Sequence, residues 1–326
     1  MLLDLIYIVI GFGLLIWGAD RFVIGASSTA SILGVPPLLI GLTVVGFATS
    51  APEILVSVSA ATQGLSGIAV GNALGSNIAN IGLVLGLTAL IAPINATHSA
   101  TLRKEISLLI LLTLATMLLF LDNSLDRLDG LILIGGLIIF LGWVTRTGMR
   151  LSTSDPLASE LTQELTSELP TQLSWKTAGL WLILGLTTLL IGANLLVAGA
   201  ENLAVRMGIS ELVIGLTIVA VGTSLPELAV SVISALKGET GIAIGNIIGS
   251  NVFNLLAVVG VAGLIHPIQL DPSVLTLHYP VMAVFTLVLL RLAYNPFGTA
   301  GLGRITGFCL LAAFFAYQTT LLTGNL

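Results

Sequence analysis

Two short stretches of this sequence carry groups able to hold a metal ion. Thr49-Ser50-Ala51-Pro52-Glu53 and Thr223-Ser224-Leu225-Pro226-Glu227 each set a carboxylate, two hydroxyls and a proline inside a long apolar run. Each glutamate falls about 15 residues into its run, near the bilayer centre if the run crosses a membrane. A carboxylate at that depth is costly, so it faces a cavity or a partner. Proline removes a backbone donor and crowds the carbonyl four residues earlier, which is Ala48 in one stretch and Gly222 in the other. Carbonyls released beside the carboxylate and hydroxyls make an all-oxygen cluster, which suits hard cations such as Na+ and Ca2+. One Pro-Glu pair reads equally well as a kinked helix whose glutamate reaches water; two at matching mid-run positions do not.

A second pair of stretches adds amides. In "GNALGSNIAN" Asn72, Ser76 and Asn80 recur every four residues and share a helical face, and Asn246, Ser250 and Asn254 repeat this in "GNIIGSNVFN". Gly71–Gly75 and Gly245–Gly249 read as small-residue contacts between close helices. That does not account for six amide or hydroxyl side chains at lipid depth, whose oxygens would complete a coordination shell opposite the two glutamates.

The elements that must position these groups follow from composition. Of 326 residues, 56% are hydrophobic and 8% charged, and the mean hydropathy is +1.09. Soluble domains carry roughly 25% charged residues, so soluble enzymes, DNA-binding proteins and disordered chains are excluded. The apolar runs are continuous rather than alternating, which excludes a β-barrel. The chain reads as an all-α polytopic membrane protein with about ten transmembrane helices. Spans are expected near 3–26, 37–62, 67–92, 105–121, 128–146, 176–204, 211–236, 241–265, 274–293 and 303–322. The apolar start is too long for a signal sequence and reads as the first span. The connection 148–175 is an acidic linker in which Glu160, Glu164 and Glu168 recur every four residues. Cys309 reads as a small apolar packing residue, and Asp20 and Asn194 as helix-end caps.

The chain repeats itself. "LLIGLTVVGFATSAPEILVSVSAATQGLSGIAVGNALGSNIAN" at 38–80 returns as "LVIGLTIVAVGTSLPELAVSVISALKGETGIAIGNIIGSNVFN" at 212–254. Glu227 minus Glu53 is 174, as is Asn246 minus Asn72, and the offset holds from Gly18/Gly192 to Ile94/Ile268. The expected organisation is a first half at 1–147 (repeat about 38–94), the linker, and a second half at 176–326 (repeat about 212–268). Five spans per half is odd, so the halves enter from opposite sides as an inverted-topology repeat, an architecture that binds substrate at the midplane. Arg21, Arg103, Lys104, Arg146, Arg150, Lys176, Lys237, Arg291 and Arg304 gather on one side, Arg127 and Arg206 on the other. The richer side is cytoplasmic, which places the linker in the cytoplasm and both termini outside, in the plasma (inner) membrane.

"GTSLPE" followed by "GNxxGSN", duplicated in inverted halves, resembles the α-repeats of the sodium/calcium exchanger family of the cation/Ca2+ exchanger superfamily, in its prokaryotic form. The resemblance implies a ten-span fold with alternating access. It further implies Glu53 and Glu227 as principal Ca2+ ligands shared with Na+, with Thr49 and Thr223 adding backbone oxygens. Ser50, Ser224, Ser76 and Ser250 would line flanking Na+ sites, and Gly46 and Ala220 would offer carbonyls. Asn80 and Asn254 would occupy the middle, supported by Asn72 and Asn246. Some family members carry aspartate at the position of Asn254, so two carboxylates stand here instead of three. The expected activity is secondary antiport of Na+ against Ca2+, with Ca2+ extruded; a proton-coupled Ca2+/cation exchanger on the same fold is the alternative. A channel is disfavoured by the inverted repeat.

An intramembrane enzyme lacks its groups: Asp20 is the only other acid near such depth, and His98, His266 and His278 fall in connections. The expected partners are the lipid bilayer and inorganic cations, with no cofactor, no nucleic acid and no protein partner.

Overall fold

The computed structural model describes residues 2–64, 66–94, 100–154, 173–206, 220–290 and 302–323. The helices are α1 (Leu2–Leu33), α2 (Pro37–Thr49), α3 (Ala51–Thr62), α4 (Gly67–Ile91), α5 (Ala100–Leu119), α6 (Arg127–Ser154), α7 (Trp175–Arg206), α8 (Ala220–Thr223), α9 (Leu225–Leu236), α10 (Thr240–Ile265), α11 (Val274–Val288) and α12 (Arg304–Thr323). With α2–α3 and α8–α9 each taken as one broken segment, each expected span overlaps one of these; 211–219 and 291–293 of the seventh and ninth lie outside the described residues. By length and composition α1, α4, α6, α7 and α10 can each cross a membrane alone, and the α2–α3 pair, bent by 43°, can form another crossing. The apolar side chains of Val9, Ile138, Ile139, Ile183, Ile305 and Phe308 point outward, as lipid-facing residues must. This is a helical polytopic membrane protein.

The breaks fall where the prolines predict. Ser50 separates α2 from α3 and Ser224 separates α8 from α9, with each proline in the first turn of the new helix. There its missing N–H is harmless. The repeat offset of 174 carries over to the backbone: α3 begins at Ala51 and α9 at Leu225. A wider helical turn opens at Asn80 in α4 and at Asn254 in α10. Gly64 and Gly238 both take a left-handed backbone, with φ of 77° and 80°, to turn out of α3 and α9.

α1 and α7 pack along a seven-residue glycine repeat. A Cβ on Gly18 would lie 2.4 Å from the Leu189 nitrogen, and one on Gly192 would lie 2.4 Å from the Leu15 nitrogen. Gly11, Gly25, Gly185 and Gly199 make similar backbone contacts, so the two helices touch main chain to main chain. Arg21 adds its guanidinium over the Trp181 and Trp17 rings, at 4.9 and 5.7 Å.

The core is built around α4 and α10, with α5, α6, α11 and α12 packed outside them. Tyr279 on α11 is fully buried and donates to the Thr113 carbonyl of α5 at 2.6 Å, edge-on to Phe120. Tyr279→Phe keeps the packing and loses that bond. We expect a loss of about 1 kcal/mol, read as a lower thermal midpoint with unchanged transport.

Two small β contacts cross between the halves. β1 (Ser124–Leu125) pairs antiparallel with β2 (Ile268–Gln269), and Ile94 bridges to Leu302. The loop after the third span of each half thereby clips onto the loop between the last two spans of the other.

Several expectations change. α1 runs on to Leu33, so Asp20 caps no helix end; it is mid-helix and pairs with Lys237 at 2.8 Å. Beside it Ser27 donates a short hydrogen bond to Glu239, so two polar links join α1 to the turn between α9 and α10. Cys309 is exposed on α12 and not packed in the core. His278 lies in a helical turn of α11 with its Nδ1 2.8 Å from the Tyr317 hydroxyl. Most of the acidic linker, with Glu160, Glu164 and Glu168, and His98 lie outside the described residues.

Candidate metal centre

Both broken helices deliver the same set of groups to the middle of the molecule. The break starts a new helix, and Glu53 and Glu227 sit in the first turns of α3 and α9. A helix N-terminus favours a negative charge there. The last carbonyls of α2 and α8, from Gly46 to Thr49 and from Ala220 to Thr223, form the opposing C-terminal ends, which favour cations. Both glutamates are 1% exposed, and they lie close enough to repel one another.

Hydroxyls of both halves surround Glu227. Ser50 donates to Glu227 Oε1 at 3.3 Å, as does Ser250 of α10. Thr49 also faces Glu227, and Thr223 faces Glu53. Thr49 itself donates to Asn246 Oδ1 at 2.9 Å and lies 3.3 Å from the Ser250 hydroxyl. Asn246 spends its amide hydrogens on the Glu227 carbonyl at 3.2 Å and Ser231 at 2.9 Å. It therefore brackets α9 and α10 to α2, with both amide hydrogens donated and its Oδ1 accepting from Thr49. Asn72, its counterpart, is half-buried with Nδ2 unpartnered, so the two halves differ at this point. Thr223 is likewise half-buried, whereas Thr49 is buried.

Glycines let the helices approach. A Cβ on Gly245 or Gly249 would lie 2.3 Å from the Leu38 or Leu42 carbonyl of α2, and one on Gly46 3.1 Å from the Gly249 backbone. The close packing expected of Gly245 and Gly249 is therefore present. Gly71 and Gly75 meet nothing within 4 Å among the described residues; the positions matching Leu38 and Leu42 in the second half, 212 and 216, lie outside them.

The buried atoms without a hydrogen-bond partner concentrate here. They include both oxygens of Glu53, Oε2 of Glu227, Oδ1 of Asn80, Oδ1 of Asn254 and the Ser224 hydroxyl. Buried acceptors normally find donors. A set of oxygens left over together is instead the chemistry of a hard-cation site. Ser76 is buried on the same face of α4 as Asn80, one turn away. Among the described residues no three His, Cys, Asp or Glu side chains come together, so neutral oxygens must supply the rest of any shell.

Three sets of residues escaped the sequence reading. Asn77 and Asn251 are buried and bond to Asn254 and Asn80. Ser57 and Ser231 lie one turn beyond the glutamates, Ser57 donating to the Val258 carbonyl at 2.8 Å. Their mirrored positions in both repeats were the available signal. Glu105 of α5 is also buried, with both oxygens unpartnered; the span expected near 105–121 puts it at the edge, but α5 begins at Ala100.

Comparison with known proteins agrees with this geometry. The family model described as "Sodium/calcium exchanger protein" matches residues 3–146 and 177–323. CaxA of Alkalimonas amylolytica, named as an antiporter, is 48% identical over 99% of this chain and 100% of its own length. The inner membrane protein YrbG of Escherichia coli K12 is 37% identical over 98% of this chain and 97% of its own. The sodium-calcium exchanger NCX_Mj, in crystals soaked with Na+ and Ca2+, superposes with a TM-score of 0.84 at 33% identity, covering 98% of this chain and 99% of that one. The chain belongs to the sodium/calcium exchanger family, and is a cation/Ca2+ antiporter of the membrane rather than an enzyme.

Proposed function

We propose that this antiporter exchanges Na+ for Ca2+ at the cluster between the two broken helices, extruding Ca2+ as Na+ enters. The observation that carries the reading is the group of buried oxygens without donors on Glu53, Glu227, Asn80, Asn254 and Ser224. Two carboxylates neutralise one Ca2+. Several Na+ on overlapping oxygens compete for the same charge and leave a positive excess, so exchange is electrogenic. Glu53 and Glu227 are the ligands shared by both ions. Carbonyls of Gly46, Thr49, Ala220 and Thr223 and the hydroxyls of Ser50, Ser76, Ser224 and Ser250 complete the Ca2+ and Na+ sites. With no ion bound, two facing carboxylates in a dry interior discourage occlusion, which couples the fluxes.

Orientation follows from the Lys and Arg count: plasma (inner) membrane, termini outside, linker 148–175 in the cytoplasm, and halves 1–147 and 176–326 inverted. In that frame the half-buried side of the cluster, with Asn72 and Thr223, faces outward. The buried side, with Asn246 and Thr49, faces inward, and there Lys237 and Glu239 hold α1 through Asp20 and Ser27. This supports an outward-facing arrangement in which the α1–α7 pair slides to change access.

Counter-transport in proteoliposomes is the test. At fixed pH, Ca2+ flux should rise with an opposing Na+ gradient and carry net charge. Ca2+ movement that ignores Na+ and follows a pH gradient would overturn sodium coupling in favour of proton coupling.

A further inference from the structure

Asn77 and Asn251 are buried, lie between the hydroxyl and amide positions of α4 and α10, and match across the repeat. Their bonds run crosswise between the halves. Asn254 Nδ2 donates to Asn77 Oδ1 at 3.1 Å, and Asn80 Nδ2 donates to Asn251 Oδ1 at 3.2 Å. In each case the amide nitrogen is taken up and the carbonyl oxygen of Asn254 or Asn80 is left buried without a partner. We infer that Asn77 and Asn251 are positioning residues of the cation site, each holding the opposite half's asparagine so that its oxygen, and not its NH2, faces the ion; this rests on the cation reading of the cluster.

The direction of the chain of donors follows from chemistry. A main-chain carbonyl can only accept, and an amide offers an acceptor at one end and donors at the other. Asn77 Nδ2 donates to the Asn251 carbonyl at 3.4 Å and reaches the Met282 sulfur at 3.5 Å. That anchor fixes Asn77 with its oxygen toward Asn254. Asn254 must then donate, which leaves its own oxygen for the ion. Reversing Asn77 alone would set two NH2 groups face to face, and reversing Asn254 alone would set two carbonyl oxygens face to face. The other arm has no such anchor, because Asn251 Nδ2 is unpartnered. The lock is therefore firmer at Asn254 than at Asn80. It also needs an amide at 254, since an ionised carboxylate would oppose the Asn77 oxygen.

The test uses the full chain in detergent, with Ca2+ alone as the probe and the Ca2+-induced rise in melting temperature as the readout, alongside proteoliposome exchange. Asn77→Ala should keep the ion-free melting temperature within a few degrees. It should raise the Ca2+ concentration for half-maximal stabilisation and transport about tenfold. Asn251→Ala should show a smaller shift. Combining Asn77→Ala with Asn254→Ala should be no worse than Asn254→Ala alone, because both remove one arm. Unchanged Ca2+ dependence in Asn77→Ala, or fully additive losses in the double variant, would each overturn the positioning role. If Ca2+ also stabilises Glu53→Gln as it does the parent, the cation reading itself falls.

Discussion

Glu53→Gln and Glu227→Gln should each abolish exchange while leaving insertion into the membrane intact. Glutamine keeps the shape and removes the charge. At an effective dielectric of about 20, a unit charge about 4 Å from a cation is worth about 4 kcal/mol, and each 1.4 kcal/mol is about tenfold. We therefore expect at least about a hundredfold loss of Ca2+-driven flux in either variant. The ion-free protein should move the other way. Glu53 holds two buried oxygens without partners, facing Glu227, so removing its charge relieves repulsion. The melting temperature without ions should rise, and the further rise on adding Ca2+ should vanish. Normal transport in both variants would refute the ligand assignment. Glu105→Gln is the contrast: an equally buried acid that takes no part in the cluster, where exchange should persist.

The second large effect concerns the glycines between α1 and α7. Gly18→Ala and Gly192→Ala each drive a methyl to within 2.4 Å of the facing backbone, which no side-chain rotation can relieve. The helices must separate along their length, at a cost of about 1–3 kcal/mol or more. Gly13→Ala, on the same helix with nothing within 4 Å, should instead gain up to about 1 kcal/mol from helix propensity. Opposite signs on one helix distinguish packing from propensity, and thermal unfolding of the purified variants reads both. Because α1 and α7 interlock, the separating substitutions should also slow transport even where the protein still folds. Full stability in Gly18→Ala would show that the pair is looser than its backbone contacts require.

Much of the site was legible because its chemistry is local. Proline removes a backbone donor and crowds the preceding turn, so the breaks at Ser50 and Ser224 follow from Pro52 and Pro226. A spacing of four puts Ser76 with Asn80 and Ser250 with Asn254 whatever surrounds them. Apolar length sets the spans, and the 174-residue offset pairs the helices that later prove to match turn for turn. Asp20 misled because its partner, Lys237, is distant in sequence, and a lone acid near an expected span end looks like a cap.

What the linear order of residues determined is therefore a duplicated bundle of apolar helices, each half carrying one carboxylate at a proline break. Only the tertiary structure decided that the halves exchange partners: Ser50 reaching Glu227, Asn254 reaching Asn77, and Thr49 reaching Asn246. Periodicity specifies a face but not what faces it. Which oxygens remain free for an ion depends on where every donor in a closed interior has already gone.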